Sequence, residues 1–131
     1  MKSRAPCFTF DALPVHEAGR NDGDPCFHAA YQFGFGQLGA WFDEVFDVAA
    51  TVYRCRFAGK TIGVLAVDDE REQTIRIVYV DEAWRRRGVA SRLLAYARSR
   101  RRANWQPQGQ PVTPEGEAFV ARHGIKVEVR L

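Results

Sequence analysis

From Thr51 to Ala58 the chain alternates, with Val52, Arg54 and Arg56 interleaving with Tyr53, Cys55 and Phe57. A period of two is that of a β-strand with distinct faces. Gly59-Lys60 supplies a turn, and Thr61 to Val67 is a second apolar run, so the pair predicts a hairpin. Asp68 to Gln73 is a charged turn, and Thr74 to Val80 reads as a third strand. After Gly88 the period changes. Val89, Ala90, Leu93, Leu94 and Ala97 recur at helical spacing, which sets one apolar stripe against a sheet while Arg92 and Arg98 face away.

The two ends are patterned less strongly. Cys7 to Phe10 reads as a short strand, and Asp11 to Pro25, rich in Asp, Gly, Asn and Pro, as a loop. Asp24 as cap and Pro25 at the first position predict a helix start, with Phe27, Ala30, Tyr31 and Phe35 near one face. Gly39 to Ala49 predicts a second helix. Ser99 to Gln110 has no periodicity, and Ser99 to Val112 offers no apolar run for a strand. Thr113-Pro114-Glu115 combines a cap, a first-turn proline and an acid, which predicts a helix that Gly124 ends. Ile125 to Leu131 alternates, as a strand with one buried face does. No internal repeat is visible, so the expectation is a single domain over residues 1–131, α/β of the α+β type, its mixed sheet mostly antiparallel.

Composition narrows the class. The chain has 131 residues, 46% of them hydrophobic and 27% charged, as in ordinary globular proteins. No run is apolar enough to span a membrane, and Met1 to Pro6 lacks a signal-peptide core, so the expected location is cytoplasmic. Cys7, Cys26 and Cys55, an odd number without close pairing, fit reduced thiols. No second ligand pair follows Cys26-Phe27-His28 at zinc-like spacing, so no metal is expected. The net charge of +3 conceals an asymmetry: Arg85 to Arg102 carries eight arginines and no acid, Asp11 to Asp47 seven acids and one arginine. A basic block of this kind suits nucleic acid or a smaller anion.

Candidate chemistry gathers at Arg85-Arg86-Arg87-Gly88-Val89-Ala90. A glycine turn feeding a helix start leaves backbone N–H groups without helical partners, and the helix dipole adds positive potential. Together with three arginines they form a site suited to pyrophosphate. Ser91, in the first helical turn, has a hydroxyl that could donate to a phosphate oxygen. Gly34-Phe35-Gly36-Gln37-Leu38-Gly39 spells a dinucleotide fingerprint, but no strand precedes it and no acid follows at the required distance. It reads as a flexible link. No serine lies in a G-x-S-x-G elbow.

Arg85-x-x-Gly88-x-Ala90 resembles the Q/R-x-x-G-x-G/A signature of the GNAT superfamily of acetyl-CoA-dependent N-acetyltransferases. Val78 to Leu94 is similar throughout to that family's fourth strand, turn and third helix. The resemblance implies acetyl-CoA as co-substrate and a small-molecule or peptide amine as acceptor. It implies a cofactor-binding set of Val78, Tyr79, Val80, Arg85, Arg86, Arg87, Gly88, Val89, Ala90 and Ser91. Within Val78 to Val80 a backbone N–H would polarise the thioester carbonyl, and the same strand edge would pair with the pantetheine arm. Three departures stand out. Where many relatives keep a glutamate base this chain has Thr74, with Glu72 close by and Glu82 further on. Where many keep a tyrosine acid, Phe119-Val120-Ala121-Arg122-His123-Gly124-Ile125 places Val120, with His123 and Tyr79 as substitutes. The family's fifth strand is missing from the pattern. The reading is direct acetyl transfer to a primary amine. A CoA-binding domain without efficient catalysis and a basic nucleic-acid-binding module are its alternatives, and the short C-terminal sheet edge leaves pairing with a second copy open.

Overall fold

A computed structural model describes residues 7–14, 26, 50–69, 75–101, 105–109 and 114–127. Six strands form one sheet in sequence order: β1 (Phe8–Pro14), β2 (Ala50–Phe57), β3 (Lys60–Asp68), β4 (Ile75–Val80), β5 (Gln108–Gly109) and β6 (Lys126–Val127). The first four are antiparallel, and β4, β5 and β6 are parallel. Parallel neighbours need crossovers. The helices α1 (Val89–Arg100) and α2 (Pro114–His123) lie in those connections. This is the mixed, mostly antiparallel sheet that the pattern predicts.

Four local expectations change. Asp11 to Pro14 is strand, not loop, and pairs with Arg54 to Thr51. Asp11 stands directly opposite Arg54, whose Nε and Nη2 donate to its carboxylate at 2.7 and 2.6 Å. The Arg54 side chain is only 10% exposed, so the pair holds β1 to β2 where composition suggests a loop. The hairpin turn is Ala58-Gly59, not Gly59-Lys60, because Phe57 pairs with Lys60. A two-residue loop of this kind takes positive φ at both positions, here +52° and +79°. The motif helix runs on through Ser99 to Arg100. A fifth strand is present, reduced to Gln108–Gly109. The helices predicted between Pro25 and Ala49 fall outside the described residues, apart from helical Cys26, as do the G-x-G-x-x-G run, Glu72, Thr74 and the end of the last strand.

The core lies between one sheet face and the helices. Val89, Leu93, Leu94 and Ala97 of α1 are almost completely buried with Tyr53, Cys55, Leu65 and Val67. Each large apolar side chain so buried contributes about 1.5–3 kcal/mol. Phe119 and Val120 of α2 pack against the same cluster. The far end of α1 is tied down by Arg101, whose guanidinium donates to the Tyr53 hydroxyl at 2.8 Å and to Asp69 at 2.6 Å. Thr51 donates to the other oxygen of Asp69 at 2.7 Å. The helix is therefore fixed relative to β2 and β3.

Asp11→Ala tests the strand extension. It removes a bidentate partner from a mostly buried guanidinium, so stability falls by about 2 kcal/mol, below the full range for broken buried pairs because Asp11 is part-exposed. A urea midpoint equal to that of the unchanged protein would contradict this.

Candidate functional site

The site begins where β4 parts from β5. The pairing between these strands is Ile75 with Gly109, at the first residue of β4. Among the described residues, Val78 to Val80 have no strand partner on that side. Their backbone orientation follows from two hydrogen bonds. The N–H of Asp81 donates to the Ile62 carbonyl at 2.8 Å, toward β3. The Val80 carbonyl belongs to the same trans peptide, so it points the other way, into the opening. In extended backbone the N–H and C=O of one residue share a side and alternate along the strand. The N–H groups of Val78 and Val80 thus face the opening, while Tyr79 pairs with Val64 of β3. The side chains of Val78 and Val80 pack against the core, so what this edge offers is backbone.

A 3₁₀ turn, Glu82–Trp84, and the arginine turn lead from β4 into α1. Gly88 is the N-cap of α1 at φ +81° and ψ +13°, and no side chain caps the helix. The first turn contains no acid. Arg92 N donates to the Gly88 carbonyl at 3.0 Å, so the N–H groups of Val89, Ala90 and Ser91 precede the first intrahelical bond. A Cβ on Gly88 would meet nothing within 4 Å, so the space outside this turn is open. A helix start with no side-chain cap and no acid in its first turn can hold an anion.

The predicted arginines divide their work. Arg85 Nε donates to the Val80 carbonyl at 2.9 Å, and its guanidinium lies over the Tyr79 ring, 5.4 Å from the centroid. Arg85 thereby closes the end of the open edge. Arg86 is exposed with φ +63°, a left-handed conformation unusual outside glycine. Exposed Arg87 lies over Trp84 at 5.3 Å, and Arg92 over Phe8 at 4.7 Å. Phe8, Phe57 and Trp84 form one aromatic group beneath them, with ring centroids 4.9–6.0 Å apart. Arg100 and Arg101 lie over Tyr96 and Trp105 at the other end of the helix. The basic block is thus laid over aromatic rings at both ends of α1.

The side chain of Val89 is buried in the core, leaving its backbone as the part available to a ligand. Ser91 Oγ lies 2.9 Å from Nε2 of His123, at the last position of α2. Burial, then the charges of Arg98 and Arg122, lower the pKa of His123 below its ordinary value. Glu82 is exposed in the 3₁₀ turn. Tyr79 is half-buried on the sheet face opposite to α1. Val120 is half-buried against the core. Burial pushes the Cys55 thiol up to about 11 despite the charge of Arg92, so it is a packing group and not a thiolate.

The sequence profile described as an acetyltransferase (GNAT) domain matches residues 48–125, more than half of the chain. No curated protein matches in sequence. Solved structures do match. An aminoglycoside N-acetyltransferase in complex with CoA superposes with a TM-score of 0.64 at 14% identity, over 100% of this chain and 95% of that one. An aminoglycoside acetyltransferase from an uncultured soil metagenomic sample gives 0.61 at 17% identity, over 95% of each chain. A ribosomal-protein-alanine N-acetyltransferase from Brucella melitensis biovar Abortus gives 0.59 at 14%, over 95% of this chain and 94% of that one. At these identities the likeness is one of fold.

Proposed function

The chain belongs to the GNAT acetyltransferase family, and from that premise we propose that it transfers the acetyl group of acetyl-CoA directly to a primary amine. One observation carries the reading: among the described residues the Val78 to Val80 edge has no strand partner on one side, and it ends beside a helix start with no side-chain cap and no acid in its first turn. The first suits an amide-bearing arm and the second a diphosphate, the two ends of one CoA molecule.

Acetyl-CoA brings the acetyl group as a thioester. The chain's own contributions follow from its geometry. The N–H groups of Val89, Ala90 and Ser91 would bind diphosphate oxygens, with Arg86 and Arg87 adding charge. Along the open edge, Val78 and Val80 offer fixed N–H donors for the pantetheine arm and for the carbonyl oxygen as negative charge develops on it. Arg85 and Tyr79 border this edge at the Val80 end. Direct transfer is favoured because Cys55 is buried and protonated at neutral pH. Of the three named neighbours, two are aminoglycoside acetyltransferases and one a ribosomal-protein-alanine N-acetyltransferase. These two amine classes head the panel of acceptors to test.

The test is thiol release from acetyl-CoA across that panel, with intact-protein mass measured when no amine is added. Expected are amine-dependent release and an unchanged protein mass. An acetylated protein would overturn direct transfer, and absence of CoA binding would overturn the whole reading.

Val120 favours a second reading, a CoA-binding domain with slow turnover, because many relatives place a tyrosine acid there. General acid assistance is worth about 10²–10⁴ in rate. Val120→Tyr is therefore expected to raise turnover on an accepted amine by about 100-fold, measured at saturating acetyl-CoA. Unchanged turnover would show that the proton comes from elsewhere.

A further inference from the structure

We propose that His123 decides whether Ser91 presents a hydrogen or a lone pair to the CoA diphosphate, which makes His123 a positioning residue for the anion site. The inference rests on the CoA-binding reading above and extends it to a side-chain pair that joins two helices.

Ser91 lies in the first turn of α1, within the open anion site, and His123 in the last turn of α2. The 2.9 Å contact between Oγ and Nε2 spans 32 positions of sequence. The Phe119 ring packs beside the imidazole, with centroids 4.7 Å apart, and limits its movement. A serine hydroxyl has one hydrogen and an imidazole nitrogen has one site, so the pair has two arrangements. With Nε2 bare, the Ser91 hydrogen points to His123, and the oxygen turns lone pairs toward an approaching phosphate. With a hydrogen on Nε2, His123 donates to Oγ, and the Ser91 hydrogen is free for a phosphate oxygen. Only the second arrangement suits an anion. The imidazolium always adopts it and adds a positive charge.

Among the described residues, the charged groups acting on His123 are Arg98 from α1 and Arg122 from its own helix. With burial they keep it neutral in the free protein at pH 7. A bound diphosphate opposes both cations and favours the protonated ring, so binding raises the pKa. The sign follows by linkage. The liganded form holds more protons between the lowered free-state pKa and the raised bound-state pKa. Affinity is therefore highest at low pH, falls across that window, and is flat above it.

The experiment is calorimetric titration with 3′-dephospho-CoA from pH 5 to 8, in buffers of different ionisation heat. This probe lacks the phosphomonoester that itself titrates near about pH 6. In the unchanged protein, proton uptake accompanies binding, and affinity falls about tenfold over the range, the equivalent of a pKa rise of about one unit. Ser91→Ala lowers affinity about tenfold at low pH, the effect of losing one charge-assisted hydrogen bond, and reduces the slope to the part that the imidazolium charge contributes directly. His123→Gln, which donates through its amide but cannot titrate, keeps most of the affinity and removes the slope. A slope or proton uptake that persists in His123→Gln, or is absent from the unchanged protein, overturns the proposal. If 3′-dephospho-CoA does not bind at any pH, the CoA-binding reading itself falls.

Discussion

Gly88→Glu is expected to lower CoA affinity more than about 100-fold in a protein that still folds. Gly88 holds φ at +81°, where an L side chain costs about 1–2 kcal/mol. No atom lies within 4 Å of the added Cβ, so the substitution causes no internal clash. A carboxylate at a helix N-terminus is favourable for the helix, which offsets part of that strain. The same carboxylate would occupy the N–H groups proposed to bind the diphosphate and repel it by charge. Losing two charge-assisted contacts, each about 1.5–3 kcal/mol, gives the expected magnitude. Gly88→Asn separates the causes, because asparagine tolerates the left-handed conformation and carries no charge. Calorimetry should find near-native affinity in Gly88→Asn and none measurable in Gly88→Glu, with thermal melting confirming both folds. Equal affinity in the two variants would remove the helix start from the site.

Gly63→Ala is expected to damage stability and binding together. Gly63 lies on β3 beneath the first turns of α1. An added Cβ would stand 2.7 Å from Cγ1 of Val89 and 3.1 Å from Cδ1 of Leu93. Both partners are almost completely buried and cannot swing aside. The helix must lift, at about 1–3 kcal/mol for an overpacked core. Its first turn then shifts relative to the β4 edge, and the two halves of the proposed CoA site lose their register. The denaturation midpoint should fall, and CoA affinity with it, although Gly63 is proposed to touch no ligand. Shortening the obstructing side chain tests the cause. In Gly63→Ala with Val89→Ala the loss should be smaller than the sum of the single losses by about 1–2 kcal/mol, as for residues in contact. Additive losses would show that the clash is relieved by another route.

Much of this architecture is legible locally. The alternation over Val52 to Phe57, the apolar run from Thr61 to Val67 and the stripe from Val89 to Ala97 each repeat at the period of the element they form. Burial of one face then enforces the pattern. The helix start at Gly88 is legible for a related reason. It is made of backbone, so a glycine and a change of period are enough to announce it.

Pairings between distant segments were not legible. Asp11 to Pro14 has the composition of a loop and becomes strand because Arg54 stands opposite Asp11. Gln108–Gly109 has no apolar pattern, because two residues paired through backbone between β4 and β6 are too few to show a period. Arg85 carries the charge of a phosphate ligand, yet its Nε donates to the Val80 carbonyl. Ser91 and His123 were separate candidates until α1 and α2 came to rest on one core.

Local pattern along the chain specifies which central segments are strands and helix, and where the helix start of the proposed anion site lies. Periodicity and a positive-φ glycine are properties of neighbours along the chain. The tertiary arrangement sets that, among the described residues, β5 meets β4 at Ile75 alone, that Gly63 admits α1, and that Ser91 faces His123. Those outcomes depend on how two helices land on a twisted sheet. That landing is set by the sum of many side-chain contacts, and no single stretch of sequence carries it.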